Sequence, residues 1–398
     1  MKVFAYMATP GGLTGAPRRL LTLASVLRDQ GIEMCIATRP DSELFMAAKQ
    51  LGLETVAVEP AGVLRERHGA LFGGNTVFRL KALFSLLVQN LTIARKIRRH
   101  RADIVWVRGS KGVAFAAPGA LLSGRPLIWD VDYEWPSRGA VRLLHRLGLW
   151  AAKRVVFQYS AAPDAIFGNK LAARYRSKFW TIVPGIDLST MKPFRSKFKD
   201  RERRKGRPFV ILQVGTICER KNQKLLVDAL TKITSDTEDG IQVQFAGSLY
   251  EYGYAEALKW RDAPAGYIEV ELLGWRNDIH ELMAQADVLV MPSKDEGVPN
   301  AVQEAMTIGL PVLVSDTGGM PEVVSHGKTG WVLPPDDSEK WGRAIENCRR
   351  HPRLCFEVGE AAAAYADQNF GTEAWGRHYA RVISESIAGN ARSNSVGR

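Results

Sequence analysis

Cysteine is scarce in this chain: four residues in 398, Cys35, Cys218, Cys348 and Cys355, with no Cys-x-x-Cys spacing among them. A disulfide framework and a cysteine-based zinc site are excluded on that count. Cys348 and Cys355 lie seven positions apart and read as buried thiols on one helix face. The seven histidines are scattered without metal-ligand spacing, so no metal site is expected. Neither half of the chain carries the Gly-x-Gly-x-x-Gly fingerprint, which argues against a dinucleotide oxidoreductase. No leader segment opens the chain, its apolar runs are too interrupted to span a bilayer, and no nucleic-acid module is recognisable. The expectation is a cytoplasmic protein with no nucleic-acid partner.

Acidic residues are the other shortage, and only in the first half. Residues 1–195 hold 29 Lys+Arg against 13 Asp+Glu, whereas residues 208–398 hold 18 against 27. A net charge of +16 in one half and −9 in the other points to an anionic partner for the first. Its most basic helix candidate runs from Val77 to Arg101, with Leu80, Leu83, Phe84, Leu87 and Leu91 followed by Arg95, Lys96, Arg98 and Arg99. Two readings stand: an amphipathic membrane-facing element, or a core helix with a solvated basic end.

At 398 residues the chain exceeds what one core sustains, so two domains are expected. Short apolar runs alternate with helix-length segments at Val3–Tyr6, Met34–Thr38, Thr55–Val58, Asp103–Val107, Pro126–Asp130 and Val155–Gln158. The pattern restarts at Phe209–Val214, Gln242–Ala246, Ile268–Leu272, Val288–Met291, Pro311–Ser315 and Trp331–Leu333. Such alternation predicts an α/β fold of two Rossmann-like domains with parallel sheets. The division read from the sequence is a first domain over 1–190, a basic linker over 191–207 and a second domain over 208–371. A helix over about 372–386 and an unstructured polar tail over 389–398 complete it.

Glu296 and Glu304 stand eight positions apart, immediately after the apolar run Val288–Met291. Pro292, Gly297 and Pro299 make the intervening loop a turn, and a helix is predicted to begin near Asn300. The first N–H groups of a helix lack partners and its dipole favours negative charge there, so the backbone of Gly297, Val298, Asn300 and Ala301 offers an anion site. Two carboxylates beside an anion site do not bind phosphate. They accept hydrogen bonds from hydroxyls, as sugars require.

This segment, Ser293 to Asp316, resembles the Glu-x7-Glu motif of the retaining group 1 glycosyltransferases of the GT-B fold (glycosyltransferase family 4-like). The resemblance implies two domains facing across a cleft, with the first glutamate, Glu296, on the transferred sugar and the second, Glu304, on the nucleotide ribose. Gly215-Thr216-Ile217-Cys218-Glu219-Arg220-Lys221 is similar to the family's glycine-to-Arg-Lys segment, which implies that Lys221, supported by Arg220, neutralises the donor diphosphate. A fixed cation there stabilises the charge that grows on the leaving phosphate. Many relatives place a second cation directly after that glycine; this chain has Thr216. Gly274-Trp275-Arg276 matches the loop that meets the nucleobase. Pro10-Gly11-Gly12 follows the first strand and corresponds to the family's glycine loop near diphosphate and acceptor.

The acceptor side departs from the family. Asp130-Val131-Asp132-Tyr133-Glu134 stands where many members carry a histidine, and Asp132 is the candidate replacement. The reading that results is a metal-independent, cofactor-free hexosyltransferase of glycan or glycoconjugate biosynthesis. Its implied partners are a nucleoside-diphosphate sugar donor, a glycan, lipid-linked or small-molecule acceptor, and the inner membrane face. A non-catalytic sugar-nucleotide-binding module of the same fold is the alternative.

Overall fold

The computed structural model describes all residues except 9–12, 14, 66–75, 132–136, 138, 197, 199–205, 232–239, 251–253, 255–267 and 396–398. Two compact units divide the described chain: Met1–Gly185 with Thr372–Arg398, and Ile186–Gly371.

In the first unit, strands β1 (Lys2–Tyr6), β2 (Glu33–Thr38), β3 (Thr55–Ala57), β4 (Ile104–Arg108), β5 (Leu127–Val131), β6 (Arg154–Phe157) and β7 (Phe179–Thr181) form one sheet. Their order is β3-β2-β1-β4-β5-β6-β7, with every pair parallel. The first six answer the apolar runs read from the sequence within a residue or two. β7 escaped notice because Phe179-Trp180-Thr181 is short and only half-buried. The inner strands β4 and β5 are buried along nearly their whole length, as strands covered on both faces must be. One core lies under the helices Thr76–Arg99, Gly109–Ser123 and Gly139–Ala151. The other lies under Gly15–Arg28 and the final helix.

In the second unit, β8 (Phe209–Val214), β9 (Ile241–Ala246), β10 (Ile268–Gly274), β11 (Val288–Met291), β12 (Val312–Ser315) and β13 (Trp331–Leu333) assemble in the order β10-β9-β8-β11-β12-β13. All pairs are again parallel. In both sheets the strand order reverses once, between β1 and β4 and between β8 and β11. A loop leaving the carboxyl end of a strand at such a reversal opens into a crevice, where α/β sheets take their ligands.

Three expected boundaries move. The units part at Gly185 and Ile186, and the basic stretch expected as a linker belongs to the second unit. Arg195 forks onto Asp367 at 2.8 and 3.0 Å and donates to the Thr307 carbonyl, while Arg207 pairs with Asp287 at 2.5 Å. Arg195 and Arg207 are thus both anchored within the second unit, while residues 197 and 199–205 between them lie outside the described residues. The last helix runs from Thr372 to Ser395, past the expected end near Ser386. It thus takes in residues 389–395 of the tail expected to be unstructured, with no proline there to break the hydrogen-bond ladder; residues 396–398 lie outside the described residues.

That helix belongs to the first unit. Trp375, Tyr379, Val382 and Ile383 are buried in the core with Leu20, Leu23 and Leu27. At about 2 kcal/mol for each large side chain removed from water, this face holds the helix in place. The Tyr379 hydroxyl also donates to Asp130 at 2.7 Å.

Candidate active site

The second unit assembles its site from the two loops that flank the reversal of its strand order. The chain leaves β8 through Gly215, whose φ of +148° disfavours any other residue. A Cβ there would lie 3.1 Å from Lys221 Cε and 3.3 Å from its Nζ, so the glycine leaves room for the lysine to fold back. Glu219–Lys221 forms a single tight turn, and Asn222 follows in the left-handed conformation at φ 56°. Its side-chain amide donates to the carbonyls of Pro292 at 3.0 Å and Pro335 at 2.9 Å, which ties the turn to the neighbouring loops. Gln213, buried on β8, donates to the Lys221 carbonyl at 2.9 Å. Lys221 is thus a buried cation held from both sides of its backbone.

The opposing loop leaves β11 through Pro292 and Ser293. The hydroxyls of Ser315 and Thr317 both donate to the Ser293 carbonyl, at 2.5 and 3.0 Å. Gly318 closes against the same loop at φ +58°; a Cβ there would come within 1.6 Å of the Glu296 carbonyl oxygen. Gly319 N–H donates to the Gly297 carbonyl at 3.1 Å. Glycines at 318 and 319 therefore let the loop after β12 press the loop after β11 towards β8.

The result is one ion cluster. Glu296 Oε1 accepts from Lys221 Nζ, and Oε2 accepts from Arg220 at 2.7 Å. Arg220 also reaches the Asp295 carbonyl at 3.0 Å, and Lys294 N–H returns a bond to the Arg220 carbonyl at 2.9 Å. Burial would push the Glu296 carboxyl up, but the Lys221 ammonium and the Arg220 guanidinium outweigh it and hold the group below the usual carboxylate range. Two cations face one carboxylate, so the cluster keeps a net positive charge.

Helix Asn300–Ile308 starts just beyond this cluster. Pro299 stands at its cap with no side-chain bond to the first amides. A proline side chain offers no acceptor, so those amides keep the capacity for an anion. Val298 and Ala301 are buried and contribute only backbone there. Glu304 is half-buried, 3.9 Å from His280 Nε2, and the His280 ring lies 5.5 Å from that of Phe194. Trp275 is 65% exposed in the loop after β10.

The structure therefore brings Gly215, Arg220, Lys221, Glu296 and Gly297 together and puts the helix start at Asn300 beside them. Gly11, Gly12 and Asp132 lie outside the described residues. Asp130 is buried, bonded to Tyr379 and 4.0 Å from Arg108, so it holds the last helix. Arg19 is buried and donates to Gln158 at 3.2 Å. Asn222, Ser315 and Gly318 were missed; the signal available was Asn222 directly after Arg-Lys and the Gly318-Gly319 pair directly after a strand.

One grouping resembles a metal site: Cys35, Glu54 and His100 converge in the first unit. Lys2 already pairs with Glu54 at 2.6 Å, and burial pushes the Cys35 thiol up to about 12. A protonated thiol and a lysine-bound carboxylate make this an ion-pair network. Cys348 and Cys355 are buried free thiols as expected, but on successive helices and not on one helix face, because the helix breaks at His351 before Pro352.

Comparison with known proteins agrees with this geometry. Residues 194–364 match the family described as glycosyl transferases group 1, and residues 14–164 match the glycosyl transferase 4-like domain. Together these matches cover most of both units, and the chain belongs to the group 1 glycosyltransferases of the GT-B fold. It is 26% identical to the UDP-Gal:alpha-D-GlcNAc-diphosphoundecaprenol alpha-1,3-galactosyltransferase of Escherichia coli, over 68% of this chain and 72% of that one. It is also 26% identical to the D-inositol 3-phosphate glycosyltransferase of Pseudarthrobacter chlorophenolicus, over 89% and 86%. Among solved structures, Anabaena HepE in complex with UDP superposes with a TM-score of 0.77 at 20% identity, covering 97% of this chain and all of that one.

Proposed function

We propose that this protein transfers a hexose, with retention, from a nucleoside-diphosphate sugar to a phosphate-bearing acceptor in glycan or glycoconjugate assembly at the inner face of a membrane. The observation that carries the donor half is the net positive Arg220, Lys221 and Glu296 cluster beside the uncapped start of helix Asn300–Ile308. A diphosphate bridging Lys221 and the helix start gains charge on its β-phosphate as the glycosidic bond breaks, and fixed donors there stabilise that change most. Glu296 then turns from the cations to the hydroxyls of the sugar. The acceptor attacks from the leaving-group side, with a β-phosphate oxygen taking its proton. Glu304 binds the ribose, and Asp132, with Gly11 and Gly12, serves the acceptor side. No metal or cofactor enters this scheme.

Complexes of the structural neighbour with UDP and with UDP-glucose support a nucleotide-sugar donor. Two relatives' names specify acceptors that carry phosphate, diphosphoundecaprenol and inositol phosphate, which suits the basic first half. Retention is what the resemblance to the family supplies.

The test is a thermal-shift screen against UDP, GDP, ADP and their sugars, followed by transfer assays with the selected donor and analysis of the product anomer. A selective shift lost in Lys221→Ala and Glu304→Ala, with an anomer matching the donor, supports the proposal. Nucleotide binding with neither donor hydrolysis nor transfer would identify a binding module instead.

A further inference from the structure

Helices Thr76–Arg99, Gly109–Ser123 and Gly139–Ala151 cover one face of the first unit's sheet, their inner sides packed over Val107, Trp129 and Val155. Their outer sides are unusual in two respects. Apolar side chains stand in water on all three: Leu80 is 63%, Phe84 68%, Leu143 67% and Trp150 62% exposed, with Leu121 and Leu122 joining them. The same three helices contain no aspartate or glutamate and nine lysines and arginines. Arg79, Lys81, Arg95 and Arg98 are exposed on the first, Arg142 and Arg146 on the third.

The first of these helices lies against its neighbour, tied to it by Asn90, which bonds the Ala114 carbonyl and the Gly119 N–H, and by Arg98 on the Leu122 carbonyl. Val77, Leu80 and Leu83 in its first two turns are each more than half exposed. Against the expectation that its apolar run is too interrupted, the helix is by length and composition apolar enough to cross a membrane, yet only 33% of its apolar stretch is buried. Gln89, Asn90, Ile93 and Ile97 hold its inner side in the fold, so it cannot leave to span a bilayer. It is apolar enough for hydrocarbon, exposed on its outer side, and carries six lysines and arginines with no aspartate or glutamate of its own.

We propose that the outer face of these three helices seats the protein on an anionic lipid bilayer, with Leu80, Phe84, Leu143 and Trp150 entering the interface and the arginines and lysines meeting the headgroups. Apolar insertion and attraction of basic side chains to a negative leaflet are the two components of peripheral membrane binding, and both are present on one surface. A protein partner of ordinary surface would present both signs of charge, and these three helices carry no carboxylate to pair with its cations. The inference deepens the acceptor half of the proposed function. Its test uses lipid alone, so failure to bind vesicles and failure to transfer sugar are read separately.

The experiment is co-sedimentation of the full chain with vesicles of phosphatidylcholine and phosphatidylglycerol, against phosphatidylcholine alone, at low and high salt. Binding is expected to the anionic vesicles, with a blue shift of tryptophan emission that diminishes in Trp150→Phe. Leu80→Glu with Phe84→Glu should lower partitioning about tenfold or more. Arg95→Glu with Arg98→Glu should lower it at low salt and matter little at high salt. A second apolar variant, Leu143→Glu, guards against a folding defect, and each variant's melting temperature is measured beside it. Equal sedimentation of the wild type and the Leu80→Glu, Phe84→Glu variant overturns the proposal. So does a concentration-dependent dimer that the same variant dissociates, because the face would then be covered by a second copy of the chain.

Discussion

The three helices over one face of the first sheet and the helices of the second unit handle charge in opposite ways. In the second unit, surface charges are matched along three helices: Lys224 with Asp228, Arg343 with Glu339, Arg349 and Arg350 with Glu346, Arg353 with Glu357. Among its described residues, only Leu249, Tyr250, Trp275 and Leu354 are large, apolar and exposed. Even the buried Lys221 and the half-buried Arg220 are paired with Glu296. The second unit sets carboxylates beside its cations, at the site as on these helices, whereas three helices of the first carry cations and exposed apolar side chains with no carboxylate of their own. The lesson is that +12 over the whole chain describes neither unit.

The largest effect should come from breaking the balance inside the site. Glu296→Ala leaves Lys221 and Arg220 without their carboxylate, and transfer should fall by about 10² to 10³-fold while a free nucleoside diphosphate binds as well or better. Steady-state transfer together with nucleotide titration checks this; near-normal turnover removes Glu296 from the mechanism. Vesicle binding should be untouched, which separates the two surfaces.

Gly318→Ala comes next. The added Cβ meets a backbone oxygen at a positive φ, so neither side chain nor backbone relaxes easily, and about 2 kcal/mol or more should be lost. Calorimetry should show a melting temperature lower by about 5 °C for the second unit.

A smaller effect concerns pH. The folded Glu296 carboxyl is held below its unfolded value of about 4.3, so its ion pairs stabilise fully above that pH and are lost as pH falls through the folded value. Melting temperature should therefore fall more steeply on acidification below about pH 5 in the wild type than in Glu296→Gln. Parallel curves would show that the cluster contributes no acid-dependent stability.

The smallest effect is expected on the balanced surface. Arg343→Ala removes a solvent-exposed partner of Glu339 and should change stability by no more than about 0.5 kcal/mol. A chemical denaturation midpoint that moves well beyond this would mean that the helical pairs of the second unit act as a network.

The sequence by itself determined what is local. Apolar runs such as Ile211-Leu212 and Val288–Met291 have to be buried strands, and Gly215, Gly297 and Pro299 have to be turns, so two parallel-sheet units could be read directly. The Glu296 and Glu304 spacing carried the family because strand, loop and helix are contiguous there. It also held the basic, acid-poor character of 76–99. Only tertiary structure decided what depends on distant partners. Lys221 and Glu296 are 75 positions apart and meet because β8 and β11 are neighbours in the sheet. The boundary at Gly185 and Ile186 follows from Arg195 and Arg207 finding Asp367 and Asp287, which basic composition alone could not reveal. The membrane-facing and core readings of the Thr76–Arg99 helix were equal in sequence. Packing of Ile93 and Ile97, with Leu80 and Phe84 left in water, separates an inner side from an outer one, because burial is a property of neighbours and not of the residue.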